Sequence, residues 1–168
     1  MTAEKTLQRA RTELAAGDVA TARQRVRGLV GSQPQNVEAR SLLADTYRLD
    51  GDLAQAGRWA FATETLTEAE EAAFANGFGK DPVRMMRAIS WVGSEDAAAT
   101  EKARRRLAEL RRRAEERTGK GQTWENAHYP SPPSERLFPV LVVAFLLFLL
   151  LCLGLGLVTV AKTVIGWF

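Results

Sequence analysis

LAAGDVATA (residues 14–22) and RLDGDLAQA (residues 48–56) are two versions of one pattern, separated by an offset of 34 residues. In each version a Gly-Asp pair, at 17–18 and at 51–52, interrupts a helical stretch rich in alanine and leucine. Glycine tolerates the conformation that ends one helix, and aspartate caps the start of the next. The two stretches therefore predict two helical hairpins, each with its turn at Gly-Asp.

Small residues recur at the same offset on both sides of each turn. Ala10 corresponds to Ala44, and Ala22 corresponds to Ala56. Because small side chains let antiparallel helices approach closely, we expect these alanines to lie where the two helices of each hairpin touch. The break at residues 31–34, Gly-Ser-Gln-Pro, separates the first hairpin from the second.

The sequence resembles the tetratricopeptide repeat (TPR), whose period is 34 residues. The second copy fills the repeat's preferred Leu, small, Tyr, Gly, Ala and apolar positions with Leu43, Ala44, Tyr47, Gly51, Ala56 and Ala60. The first copy matches less fully, through Ala10, Gly17, Ala22, Val26 and Pro34, and departs from the repeat at Arg9 and Glu13. The alternative is a pair of unrelated Ala-rich hairpins, and both interpretations predict an all-α fold.

Two repeats are fewer than a free-standing solenoid usually needs, so helices after residue 66 are expected to cap them. A capping box, Thr67-x-x-Glu70, predicts a helix through Phe74, which the glycines of residues 76–79 then end. Two more helices are predicted, one from Asp81-Pro82 through Trp91 and a long one from about Glu95 to Arg117.

A second, looser resemblance is to small actinobacterial helical proteins that have no established activity. It is carried by Gly-Arg-Trp-Ala-Phe at residues 57–61 and by Glu-Glu-Ala-Ala-Phe at residues 70–74. The match is partial and implies a helical fold without implying a reaction.

The end of the chain is strongly apolar, because the 25 residues from Leu137 to Ala161 contain no charged side chain. A helix of that length exceeds the roughly 30 Å of a bilayer's hydrocarbon core, so a transmembrane helix is predicted. Residues 101–136 contain ten Lys and Arg, whereas only Lys162 follows the span. The positive-inside rule then places the N-terminal domain in the cytoplasm, as in a tail-anchored, single-pass protein of the bacterial cell membrane.

The predicted fold is all-α, with TPR-like hairpins, capping helices and one C-terminal transmembrane helix. Its predicted divisions are the two hairpins at 1–66, the capping helices at 67–118, a Pro-containing linker at 119–136, the transmembrane helix at 137–161 and a short external tail at 162–168.

The residues that usually carry catalysis or bind metals are sparse. The only histidine, His128, lies in the predicted linker, and the only cysteine, Cys152, lies inside the predicted span. No CxxC or HExxH pattern occurs. We therefore expect a protein that is not an enzyme and that uses no metal, cofactor or small-molecule substrate.

The stretch RRRLAELRRRAEER, residues 104–117, predicts a basic helix with one narrow apolar seam formed by Ala103, Leu107, Leu110 and Ala114. One interpretation is that the seam packs on the hairpins and the charged face is solvated. Another is that the helix is drawn to anionic lipid, and nucleic-acid binding is not expected because no recognition motif accompanies the charge. The membrane-surface candidates are Arg104, Arg105, Arg106, Arg111, Arg112 and Arg113.

Taken together, these features predict a membrane-anchored TPR-like adaptor that presents a protein-binding surface to a protein partner, expected to be a membrane protein or complex. The TPR resemblance implies a concave face made by the first helix of each repeat. Its candidate residues are Glu4, Leu7, Arg11, Leu14, Glu38, Ser41, Asp45, Arg48 and Leu49. The alternative is a single-span accessory subunit of a larger membrane complex, in which the transmembrane helix makes the main contact.

Overall fold

The computed structural model describes residues 2–129. Within that range the chain forms seven α-helices and no strand, which confirms the predicted all-α class. The helices are α1 Ala3–Ala15, α2 Val19–Ser32, α3 Val37–Leu49, α4 Leu53–Ala60, α5 Glu68–Gly77, α6 Pro82–Ile89 and α7 Glu101–Thr118. None of the helices in residues 2–129 is long and apolar enough to cross a bilayer. The predicted span at 137–161 lies outside the described residues.

The first four helices form two hairpins whose turns are built alike. Gly17 and Gly51 both adopt left-handed backbone conformations, with φ of +82° and +74°. Asp18 and Asp52 follow them, and each side chain accepts a hydrogen bond from the backbone N–H three residues ahead, at 3.1 and 3.0 Å. The 34-residue offset in the sequence is therefore an offset between two equivalent turns.

The small residues singled out in the sequence lie in the helix contacts. Ala10, Ala22, Ala44 and Ala56 are each completely buried. Within the hairpins α1 packs on α2 and α3 packs on α4, while α2 packs on α3 to join them. The first helices, α1 and α3, also touch each other.

The closest helix approach in the capping region is between α4 and α5, at Gly57. A Cβ atom on Gly57 would lie 2.7 Å from the carbonyl carbon of Glu70, still closer to its oxygen, and 3.0 Å from the Cβ of Phe74. The ring of Phe74 packs edge-on against Phe61, with ring centroids 5.7 Å apart. The two motifs of the looser resemblance, at 57–61 and 70–74, are therefore the two sides of one contact.

Glu70 joins α5 to α3. It completes the predicted capping box with Thr67, and its carboxylate also accepts hydrogen bonds from Arg48 Nε and Nη2 at 2.5 and 2.8 Å. The side chain of Glu70 is only 3% exposed. The bidentate bond to Arg48, aided by the Thr67 backbone and opposed by burial, lowers the pKa of Glu70.

Helix α6 is shorter than predicted. It ends at Ile89 because Ser90 turns into the left-handed conformation, with φ of +53°. The turn directs Trp91, which was expected to end the helix, into the core, where it is 1% exposed. The free energy gained by burying the indole ring exceeds what two further helical residues would contribute.

The long basic helix also begins later than predicted. A short 3₁₀ turn occupies Glu95–Ala97, and α7 starts at Glu101 with Thr100 as its N-cap. Glu95 lies before the helix, where its carboxylate accepts hydrogen bonds from Arg111 and Trp124. The predicted seam is confirmed, since its four residues (Ala103, Leu107, Leu110, Ala114) are all buried.

The contact at Gly57 predicts a steric effect of substitution. Gly57→Ala should destabilise the protein by about 1–3 kcal/mol, because the added methyl group overpacks a backbone contact. Gly28→Ala is the matched control, since Gly28 lies in α2 with nothing within 4 Å of an added Cβ. It should be neutral or stabilise by up to about 1 kcal/mol. Urea unfolding followed by tryptophan fluorescence measures both, and equal effects would contradict the proposed contact.

The lowered pKa of Glu70 predicts a pH-dependent contribution to stability. Because its folded-state pKa lies below the ordinary 4.5, the contribution is complete above pH 4.5 and is lost as the pH falls through the folded-state pKa. Glu70→Gln retains a residue able to form the capping box but should cost about 1–3 kcal/mol at pH 7.

The difference between wild type and Glu70→Gln should therefore shrink in acid, measured by urea unfolding between pH 7 and 3. Glu68→Gln, an exposed change in the same helical turn, serves as the control. A constant difference for Glu70→Gln across that pH range would show that its charge contributes nothing.

Candidate functional site

Residues 122–129, which the sequence assigns to the linker, pack on the helices; we call them the C-terminal arm. Trp124 is 6% exposed, and its Nε1 donates a hydrogen bond to Glu95 Oε1 at 2.8 Å. The backbone N–H of Gly93 donates to Glu125 Oε1 at 2.5 Å, and the Tyr129 hydroxyl donates to Asp81. The arm is therefore anchored at several points along its length.

The arm completes a cleft of about 800 Å³ that opens between the end of α2, α4 and the end of α6. We call it the tryptophan cleft, because Trp59, Trp91 and Trp124 all contribute to its lining. Val30 and Pro34 extend the apolar surface. The exposed polar residues at its edge include Arg27, Arg87, Glu125, Asn126 and His128.

Arg40, from α3, lies directly behind this lining and is completely buried. Its guanidinium donates hydrogen bonds to the carbonyl oxygens of Pro34, Ile89 and Ser90, the last two at 3.1 and 3.2 Å. It also lies 5.4 Å from the ring centroid of Trp91 and 6.0 Å from that of Trp59. Arg40 therefore holds the α2–α3 loop and the end of α6 together, as a cation whose acceptors are all backbone carbonyls.

The cations around the cleft act on one another. Burial, with a smaller effect from the charge of Arg58, lowers the pKa of Arg40 to about 10. Burial likewise lowers the pKa of Arg58, and the charge of Arg27 lowers it further. The guanidinium of Arg58 lies over Trp59 at 4.4 Å and donates to the carbonyl oxygen of Ala88 at 2.6 Å. Arg40 and Arg58 both remain protonated at neutral pH.

Two buried hydrogen-bond donors at the cleft lack partners within the described residues: Arg40 Nη1 and Trp59 Nε1. A buried donor without an acceptor is costly, and such groups are uncommon in folded proteins. Arg27, Arg40, Arg58 and Arg87 also form no ion pair within residues 2–129. The cleft thus combines aromatic surface with uncompensated positive charge and unused donors.

The residues predicted to form the concave face have several different environments. Arg11 of α1 and Glu38 of α3 form an exposed ion pair, which brings the two helices together. Leu7 is buried, and Arg48 is held by Asp45 and Glu70. The remaining candidates are Glu4, exposed; Leu14 and Ser41, half-buried; and Leu49, 65% exposed.

The six arginines predicted to face the membrane surface are mostly neutralised within the protein. Those on the outer side of α7 pair with glutamates of the same helix: Arg104 and Arg105 with Glu101, and Arg112 and Arg113 with Glu109. Arg111 pairs with Glu95 and Glu115. Arg106 instead donates to the carbonyl oxygens of Phe61 and Thr63, at 2.6 and 3.3 Å.

The tryptophan cleft was not predicted from the sequence, although one signal pointed to it. Three of the four tryptophans, Trp59, Trp91 and Trp124, lie in different predicted segments of the charged N-terminal part. Only the folded chain shows that they line one cleft. Within residues 2–129 no cluster of His, Cys, Asp and Glu is arranged to hold a metal ion.

The fold and the cleft together define an all-helical protein with two equivalent hairpins and an aromatic, cationic cleft. The sequence matches a family of unknown function (DUF6584) over residues 1–162, and the chain therefore belongs to that family. No curated protein and no solved structure matches it.

Proposed function

We propose that this protein is a membrane-anchored TPR-like adaptor, whose helical domain binds a protein partner at the cytoplasmic face of the membrane. The observation that carries the proposal is the equivalence of the two hairpins. Gly17 and Gly51 share a left-handed turn, and the alanines on either side of it are equally buried in both copies. Helical repeats of this kind commonly serve as scaffolds for binding proteins and peptides.

The partner surface in this proposal is the predicted concave face, made by α1 and α3. The Arg11–Glu38 ion pair supports it, because it brings the two first helices side by side. Ser41 contacts Thr65 across the neighbouring loop, at 3.3 Å between hydroxyl oxygens. Leu49 adds an exposed apolar side chain at the end of α3. A surface with mixed charges and an apolar end suits a polar segment of a partner protein.

The membrane anchor in this proposal is the uncharged stretch at 137–161. Its length and composition suit a single transmembrane helix, and the basic residues before it favour a cytoplasmic helical domain. The ion pairs along α7 favour an anchor that depends on the span more than on electrostatic attraction of that helix to lipid.

The alternative function, a single-span accessory subunit, places the main contact within the apolar stretch. What favours it is the length of that stretch, since 25 residues against 18 in the longest described helix would give a partner helix an extended apolar surface to pack against.

Photo-crosslinking in intact membranes tests the adaptor function. A photoreactive amino acid replaces Ser41 on the proposed partner surface or, as a control, Gly28 on the exposed side of α2. A discrete crosslinked product from position 41 alone is the expected result. Equal products from both positions, or none from position 41, would contradict the proposed surface.

The accessory-subunit alternative is tested by comparing the full-length chain with a version ending at Glu135. If the adaptor function is correct, both versions form the same crosslink from position 41. A product that requires the residues after Glu135, and that does not depend on the helical surface, would favour the alternative.

A further inference from the structure

We propose that the tryptophan cleft is a second binding site, which takes an acidic peptide segment of a partner protein with an apolar residue next to the carboxylate. This inference rests on the proposed adaptor function, but it assigns binding to a different surface from the face of α1 and α3. The cleft is separate in composition as well as in place, since three tryptophans and two unpaired arginines contribute to its lining.

The charge at the cleft points to an anion. Most arginines elsewhere in residues 2–129 are paired with carboxylates, for example Arg25 with Glu13 and Arg112 with Glu109. Arg27 and Arg87, which line the cleft, and Arg40 and Arg58, which contact its Trp59, are not. Arg40 and Arg58 donate to carbonyl oxygens, and Arg27 donates to the Tyr47 hydroxyl. The one carboxylate in the lining, Glu125, already accepts a hydrogen bond from the backbone of Gly93, at 2.5 Å. Glu125 offsets one of the positive charges, and an incoming carboxylate would offset a further one.

The buried donors provide a second, independent observation. Arg40 is completely buried and contacts Pro34, Trp59, Ser90 and Trp91, all of which line the cleft. Its Nη1 atom has no acceptor in the described residues, and neither has Trp59 Nε1. Trp59 itself lines the cleft and Arg40 contacts Trp59 and Trp91 of the lining, so both unpaired donors belong to side chains at or next to the surface that a ligand would cover.

The aromatic lining favours a peptide over a small anion. Inorganic phosphate would use the arginines but would leave Trp59, Trp124 and Pro34 uncovered. A cleft of about 800 Å³ has room for several residues of an extended chain. Tryptophan and arginine are also the residues that most often dominate the binding energy of protein interfaces. A carboxylate flanked by proline, leucine or an aromatic residue matches both parts of the cleft.

Selection from a random 12-residue peptide display library on the full-length protein, purified in detergent, tests this inference. We expect the selected peptides to be enriched in Asp or Glu next to an apolar residue. A synthetic peptide of that sequence should change the tryptophan fluorescence, and its affinity should fall as salt is raised.

The double variant Arg27→Gln/Arg87→Gln should weaken peptide binding about tenfold or more, because it removes two charged donors. The control variant Arg9→Gln/Lys120→Gln makes the same change in net charge at exposed positions away from the cleft and should leave the affinity unchanged. Unaltered melting temperatures in both variants would exclude a loss of folding.

Three results would overturn the inference. The first is that the selected peptides are not enriched in acidic residues. The second is an equal loss of peptide affinity in both double variants. The third is displacement of the peptide by glycerol phosphate at concentrations where acetate has no effect. The last result would assign the cleft to a phosphate headgroup. If Ser41→Arg abolishes peptide binding and the cleft variant does not, the adaptor function stands and the cleft inference fails.

Discussion

The contact between Gly57 on α4 and the Glu70 backbone on α5 is the constraint on which the arrangement of the helices depends. Since a hydrogen is the only side chain that fits there, α5 can lie directly against α4. That position brings Glu70 to Arg48 of α3 and Phe74 to Phe61. One missing methyl group thus determines where the hairpins meet the capping helices, and a half-buried ion pair and an aromatic contact depend on it.

The tryptophan cleft follows from the same arrangement, because arginine side chains satisfy the backbone carbonyls at the end of α6. Helix α6 stops at Ile89, and two arginines pair its last carbonyl oxygens: Arg40 donates to that of Ile89 and Arg58 to that of Ala88. Burying a guanidinium for this purpose places a cation behind Trp59 and Trp91. The positive character of the cleft is therefore connected to how the end of a helix is stabilised, and architecture and binding chemistry share the same residue.

The sequence was sufficient to predict the features that local rules control. The turns at Gly17 and Gly51, the capping box at Thr67 and the seam on α7 each depend on residues a few positions apart. The early end of α6 could not be predicted, because it depends on the burial of Trp91 in a core assembled from distant segments. The cleft could not be predicted for the same reason, as its lining comes from α2, α4, the end of α6 and the C-terminal arm.

The two hairpins differ in one respect, since α2 has 14 residues and its counterpart α4 has only 8. The shorter helix leaves room for the loop that carries the chain across to α5. A full-length α4 would offer a fresh surface for another hairpin to stack on, as in an open-ended array. The shortened α4 therefore ends the stack of hairpins. A further hairpin would therefore fit more readily before α3, where one hairpin already follows another, than after α4, where α5 packs directly on the helix.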